Sequence, residues 1–213
     1  MIKRRDFVKL TASTAFVAAL PAALPAALAG CATDAPLAGP VPEVGFQHLA
    51  PIGLKVSHVE VQSVYQSPMK APNAEHRFPT SPAQAMTNWA NRRLHAVGEA
   101  DSGVATFVIE NAAVIETKLD KTKGLKGMFT YEPSERYDAV AVARLTVKDS
   151  QDGAHGEIKV SASRSVEVRE NATLAEREKA WFEMIEALMA DFNAQVESQI
   201  QAHLPRWLDG PGL

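Results

Sequence analysis

The stretch Tyr137–Val168, YDAVAVARLTVKDSQDGAHGEIKVSASRSVEV, decides the fold. Its first half carries apolar residues on both faces, with Val140 and Val142 against Leu145 and Val147. That is the pattern of a strand buried on two sides. Asp149 to Gly156 is a turn containing Asp152-Gly153, a pair suited to the positive φ of a tight reversal. Beyond it Ile158, Val160, Ala162, Val166 and Val168 alternate with polar neighbours, so the whole stretch predicts an antiparallel hairpin.

On the C-terminal side Thr173 and Glu176 form a capping box. Phe182, Ile185, Met189, Phe192, Val196 and Ile200 then mark one helical stripe that ends before Pro205. A helix of some thirty residues runs ~45 Å, longer than a neighbouring sheet of this size. Its last part, around Ile200, Leu204 and Trp207, is left either to fold back or to meet a partner. On the N-terminal side Ala105, Phe107 and Ile109 alternate in a strand continuing to Ile115. Before that, Ser81, Pro82 and Gln84 predict a capped helix start. Met86, Trp89, Ala90, Leu94 and Val97 give that helix its apolar face, and Gly98 is placed to end it. Leu54 to Gln66, with Val56, Val59, Val61, Val64 and Tyr65, predicts the first strand, and Pro68, Pro72 and Pro79 a loop after it. The order β-α-β-β-β-α predicts an α+β domain over 54–213: a four-stranded, mainly antiparallel sheet with two helices on one face.

The first thirty residues belong to something else. Lys3, Arg4, Arg5 and Lys9 form a basic start, and an uncharged Ala/Leu-rich stretch with Pro21 and Pro25 follows to Gly30. This is the layout of a bacterial signal peptide, too Ala-rich and Pro-broken for a membrane span, which wants ~20 strongly apolar residues. Arg4-Arg5-Asp6-Phe7-Val8-Lys9 resembles the twin-arginine motif, with Lys3 where that family has Ser or Thr; an ordinary Sec signal is the alternative. Leu28-Ala29-Gly30-Cys31 resembles the lipobox of bacterial lipoproteins, which implies cleavage before Cys31 and lipidation of its thiol. Two or three acyl chains hold a protein stably on a membrane, where one chain does so only marginally. The alternative is cleavage after Ala29, leaving Cys31 as an unpaired thiol in an oxidising compartment. Cys31 is the only cysteine, so the domain has no internal disulfide. Residues 31–53 then read as the lipidated cysteine and an Ala/Pro/Gly-rich tether spanning ~25 Å on average. Ala32 and Thr33 follow the cysteine, so the Asp that retains lipoproteins in the inner membrane of enteric bacteria is missing. Outer-membrane delivery, facing the periplasm, is therefore expected.

The chain's formal charge is −3, and loss of the signal removes four positive charges and one negative. An acidic domain of this kind argues against nucleic acid or anionic lipid head groups as a bulk electrostatic partner. The six histidines (His48, His58, His76, His95, His155, His203) are scattered, with no i, i+4 pair, so no metal is expected. No Gly-x-Ser-x-Gly elbow, Ser-x-x-Lys or phosphate-cradling Gly loop occurs, so neither an enzyme nor a cofactor is expected. The carboxylate pairs Glu132 with Glu135 and Asp149 with Asp152 lie in turns, where acids are commonly solvated.

Two features stand out. The connection from Lys118 to Arg136 is far longer than a hairpin needs. It places Lys118, Lys121, Lys123 and Lys126 ahead of Leu125, Met128, Phe129 and Tyr131. Leu125, Lys126, Met128, Phe129 and Tyr131 make a candidate binding loop, lysines steering and apolar residues inserting into a partner protein or lipid. The other reading is a flap that buries Met128 and Phe129 over the sheet. The second feature is Arg164, which strict alternation puts on the apolar face of the last strand. It predicts a buried anchor for a carboxylate or anionic ligand, a snorkelling side chain, or a bulge that shifts the register.

The element order resembles that of the lipopolysaccharide-assembly lipoprotein and of auxiliary lipoproteins of certain ABC transporters. The sequence is also similar to uncharacterised proteobacterial lipoproteins that share an Arg-Tyr-Asp strand and a Glu-Arg-Glu-x-x-Trp helix start. Here these are Arg136-Tyr137-Asp138 and Glu176-Arg177-Glu178 through Trp181. The resemblance implies a membrane-anchored envelope lipoprotein, an accessory subunit of outer-membrane assembly or transport. A periplasmic lipid- or small-ligand-binding module is the competing reading.

Overall fold

The hairpin read from Tyr137–Val168 is the spine of the domain. In the computed structural model, which describes residues 44–119 and 133–210, the elements are β1 (Ile52–Leu54), β2 (His58–Ser63), α1 (Pro82–Arg93), β3 (Leu94–Ala96), β4 (Val104–Asn111), β5 (Val114–Lys118), β6 (Pro133–Lys148), β7 (His155–Arg169) and α2 (Leu174–His203). β6 and β7 pair antiparallel from Lys148↔His155 to Pro133↔Arg169. Gly153 adopts φ +71 at the turn, and the Asp152 carboxylate accepts the Ala154 N–H at 2.9 Å.

β6 is long enough to host two partners in tandem on its other edge. β4 pairs with its second half, Val104↔Lys148 to Asn111↔Val142, and β5 with its first half, Val114↔Ala139 to Lys118↔Glu135. The strand expected from Ala105 to Ile115 is thus one column of the sheet, interrupted at Ala112 and Ala113. β2 joins β4 in parallel, Val59↔Ala105 to Ser63↔Ile109, so five strands make a sheet four columns wide. The α+β class and the mainly antiparallel sheet agree with the sequence pattern; the parallel β2–β4 pair follows from the α1 crossover between them.

Both helices cover one face. Trp89 of α1, Phe107 of β4 and Phe192 of α2 meet with ring centroids 5.3–6.3 Å apart. Ala139, Ala141, Ala143 and Ala162 line the floor beneath the helices, all at most 4% exposed. Arg93 at the end of α1 is also buried; its Nε donates to Asn193 Oδ1 at 3.2 Å and its head pairs with Glu197. Asn193 Oδ1 accepts the Trp89 indole N–H as well, at 2.9 Å, so one amide stitches α1 to α2.

Two boundaries differ from the pattern, and one cap forms only in part. The first predicted strand breaks at Lys55–Ser57, where Lys55 donates to the Trp207 carbonyl at 2.7 Å and Ser57 to that of Gly103 at 2.9 Å. β1 therefore leaves the main sheet and pairs in parallel with β3. α1 stops at Arg93 instead of reaching Val97, because that pairing takes over the backbone: Val97 donates to Leu54 and Gly98 to Val56, both at 2.9 Å. Val97 is half exposed and adds nothing to the helix's apolar face. Gly98 serves close approach; a Cβ there would sit 2.7 Å from the Val56 nitrogen. The capping box expected at Ser81 forms by half: Ser81 accepts the Gln84 N–H at 3.2 Å, but the Gln84 side chain turns to Asn88. At α2 both halves of the box are present.

The end of α2 folds back on its own domain. Ile200, Leu204, Trp207 and Leu208 are buried, Leu208 bridges to Leu54, and Asp209 donates to the Gly53 carbonyl at 2.9 Å.

Candidate functional site

The residues singled out near the N-terminus (Arg4, Arg5, Phe7, Lys9, Leu28, Ala29, Gly30 and Cys31) lie outside the described residues, as do Leu125, Lys126, Met128, Phe129 and Tyr131. The described structure instead defines the base from which the candidate binding loop springs. β5 ends at Lys118, β6 begins at Pro133, and the two ends are joined by Leu119 N–H donating to the Ser134 carbonyl at 2.9 Å.

That base is built by the two sequence marks on which the lipoprotein resemblance rests. Tyr137 is the inward residue of the Arg136-Tyr137-Asp138 strand and is fully buried. Trp181 lies two turns into α2, whose start is fixed by the Thr173–Glu176 box. The two rings meet edge to face at 5.3 Å, and Phe78, from the loop before α1, stacks on Trp181 at 4.6 Å. Arg77 caps the cluster, its guanidinium 5.8–5.9 Å from the Tyr137 and Trp181 rings, and pairs with Glu116 of β5. Edge-to-face and cation–π pairs of this kind contribute about 0.5–1.5 kcal/mol each beyond their buried area. Among the described residues the Trp181 indole N–H has no acceptor.

Arg177 is the electrostatic centre. It pairs with Glu135 and donates to the Tyr137 hydroxyl at 3.0 Å, while that hydroxyl donates to Glu135 at 2.8 Å. Burial pushes the Glu135 carboxyl up, but the Tyr137 hydroxyl and Arg177 outweigh it and hold the carboxyl below its usual range. Burial and the adjacent Glu135 push the Tyr137 phenol up to about 12, so it remains a neutral donor. The triad consists of a fixed carboxylate, a protonated phenol and a permanent cation. It supplies no base poised near neutral pH, and its chemistry is that of a clamp.

Behind the platform, Glu75 is buried in the loop before α1. It accepts the hydroxyls of Tyr65 at 2.6 Å and Ser67 at 2.5 Å, and the Val114 N–H at 3.1 Å. It thereby holds Val114, the residue at which the interrupted column resumes as β5. Burial raises the Glu75 carboxyl, but these hydrogen bonds prevail and bring it down to about 2. No sequence signal points to Glu75; it stands in a proline-flanked loop with no periodicity.

The remaining candidates are accounted for singly. Arg164 does face the helices, as alternation required, and snorkels: it is exposed and grips Asp191 of α2 at two points, 2.6 and 2.8 Å. Asp149 and Asp152 bind Arg206, tying the hairpin turn to the chain's end. No group of His, Cys, Asp and Glu among the described residues is arranged to hold a metal, and no described helix is long and apolar enough to cross a membrane. A cleft of about 240 Å³ lies beside the platform between β7 and α2, lined by Glu167, Arg169, Glu176 and Lys179 around Val168 and Ala180. That is below the ~300–1,000 Å³ of ligand pockets.

No family model matches the chain, and no curated protein matches it. Solved structures to which it is similar include rare lipoprotein B from Shewanella oneidensis, at 11% identity and TM-score 0.36, covering 68% of this chain and 95% of that one. A minor lipoprotein from Acinetobacter baumannii gives 13% identity and TM-score 0.35, over 74% and 99% of the two chains. A DUF330 protein from Xanthomonas campestris gives 10% identity and TM-score 0.33, over 76% and 95%. These are loose likenesses.

Proposed function

We propose that this chain is a lipid-anchored protein of the bacterial envelope with a non-catalytic, accessory role in outer-membrane assembly or transport. In this reading Cys31 carries the anchor, and the tether expected over 31–53 is confined to the residues before Val44, since Val44, Phe46 and Ile52 are buried in the core. The connection from Lys118 to Arg136 docks onto a membrane partner. The observation that carries the docking assignment is the closed base: Leu119 bonded to Ser134 above the Tyr137–Trp181–Arg177 cluster. That base fixes where the connection leaves the domain, at Leu119 and Ser134, on a packed platform. The lipobox supports the envelope location.

Two variants test the reading in cells. Cys31→Ala is expected to move the protein from the membrane to the soluble fraction; stable membrane retention would remove the anchor from the account. Replacing Met128 and Phe129 together by Ser is expected to abolish cross-linking of residues 125–131 to a membrane protein while leaving the unfolding midpoint unchanged. A collapse of stability in that variant would make the segment a core flap and end the docking assignment.

A further inference from the structure

β7 is the last column of the sheet, and among the described residues it pairs with β6 alone. Its fifteen residues contain no proline, and the one irregularity in its pairing falls on the β6 side, between Pro133 and Glu135. Proteins ordinarily blunt so long an edge with proline, bulges or charged side chains, because its free N–H and C=O groups recruit another strand; of these β7 carries the charges alone.

The direction of those groups is fixed by β6. Val140 donates to the Ala113 carbonyl at 3.0 Å, on the β5 side, so its backbone groups turn away from β7. Val140 lies opposite Ser163, making this a non-hydrogen-bonded pair, and Ser163 therefore points its own N–H and C=O to the free edge. Every second residue does the same, from Glu157 to Arg169, and these residues are all exposed on the face away from the helices.

Along that edge the sequence is complementary to itself. Lay a second β7 antiparallel with the two-fold axis at Ser163. Ser161 then opposes Ser165, Lys159 opposes Glu167, and Glu157 opposes Arg169. On the helix side Ile158 meets Val168 and Val160 meets Val166. The neighbouring registers are selected against. An axis at Ala162 sets Glu157 against Glu167; an axis at Arg164 sets Lys159 against Arg169 and Arg164 against its own copy. Like charges directly opposite repel, so one register stands out. Within the chain Lys159 already pairs with Glu110 and Glu157 with Arg144, each at 2.6 Å. An incoming Glu167 and Arg169 would extend these into alternating charge ladders.

We infer that β7 is the two-fold interface of a homodimer, in which two four-column sheets join edge to edge in the Ser163-centred register. The interface is isologous, each half supplying both members of every pair, and it runs ~44 Å over thirteen residues.

The test uses the full-length protein in membranes, with a short rigid bis-maleimide as probe and the parent chain, whose sole cysteine is Cys31, setting the background. Ser163→Cys is expected to give a strong band at twice the monomer mass. Ser161→Cys alone is expected to give several-fold less, because its symmetry mate sits four residues along the strand. Chains carrying Ser161→Cys and Ser165→Cys under different tags are expected to link to each other. Glu167→Lys should reduce the Ser163→Cys product several-fold, and adding Lys159→Glu should restore it by reversing the pair. Failure of Ser163→Cys to link, equal linking from Ser161→Cys, or a product lacking a second tagged copy would each overturn the inference.

Discussion

Replacing Glu75 by Gln tests the main claim about how the interrupted column is held. The side chain is 3% exposed and receives two hydroxyls and one backbone N–H. Gln preserves the shape, but its amide has one oxygen in place of two and carries no charge. Holding the carboxyl at about 2, against an ordinary 4.5, corresponds to about 3 kcal/mol of stabilisation by the ionised form. The sign follows from the direction of the shift. A depressed folded-state value contributes fully above the unfolded value and is lost as pH falls through the folded one. Glu75→Gln is therefore expected to lower unfolding free energy by about 3 kcal/mol at pH 7 and by only about 1 kcal/mol at pH 3. Urea unfolding of the unit Ala38–Leu213, followed by its three tryptophans, reads both values. A gap between parent and variant that is the same at pH 7 and pH 3 would refute the reasoning, since packing alone would then explain the loss.

Other substitutions probe separate joints of the structure in the same assay. Arg93→Met keeps the stem but removes the head from Asn193 and Glu197, and is expected to cost about 1–3 kcal/mol; no loss would mean that the pair merely offsets its own desolvation. Gly156→Ala drives a Cβ to 2.5 Å from the Leu204 and Trp207 side chains, so about 1–3 kcal/mol of destabilisation is expected. Arg164→Ala removes a two-point ion pair that is open to water, and a change below about 1 kcal/mol is expected.

Much of the frame was legible because it rests on local signals. The Tyr137–Val168 hairpin, the thirty-residue helix and its capping box are short-range patterns, and each lies where alternation or capping puts it. The misread boundaries all involve partners distant in sequence. α1 ends early because Leu94–Ala96 pairs with Ile52–Leu54, 42 residues away, and nothing in the run to Val97 announces that. The Arg136-Tyr137-Asp138 and Glu176–Trp181 segments were visible as separate marks; their meeting in one cluster is a tertiary fact. Phe78, Arg77 and Glu75, which complete that region, stand in a loop whose prolines hide any period. Arg164 was placed on the correct face, and only the position of Asp191 decides that it snorkels.

The return of the C-terminal segment to β1 has a mechanical meaning. β1 is the first strand of the described domain, and its neighbours are β3 on one side and Leu208–Asp209 on the other. In a protein anchored at Cys31, tension from that side would meet the buried Val44 and Phe46 first and then β1. Three residues clamped between an internal strand and the chain's own end would bear that load before the five-stranded sheet felt it. The clamp would yield locally, exposing Ile52 and Leu54, while the platform and β7 kept their shape. Shortening the chain from its C-terminus by six residues would remove one jaw of that clamp.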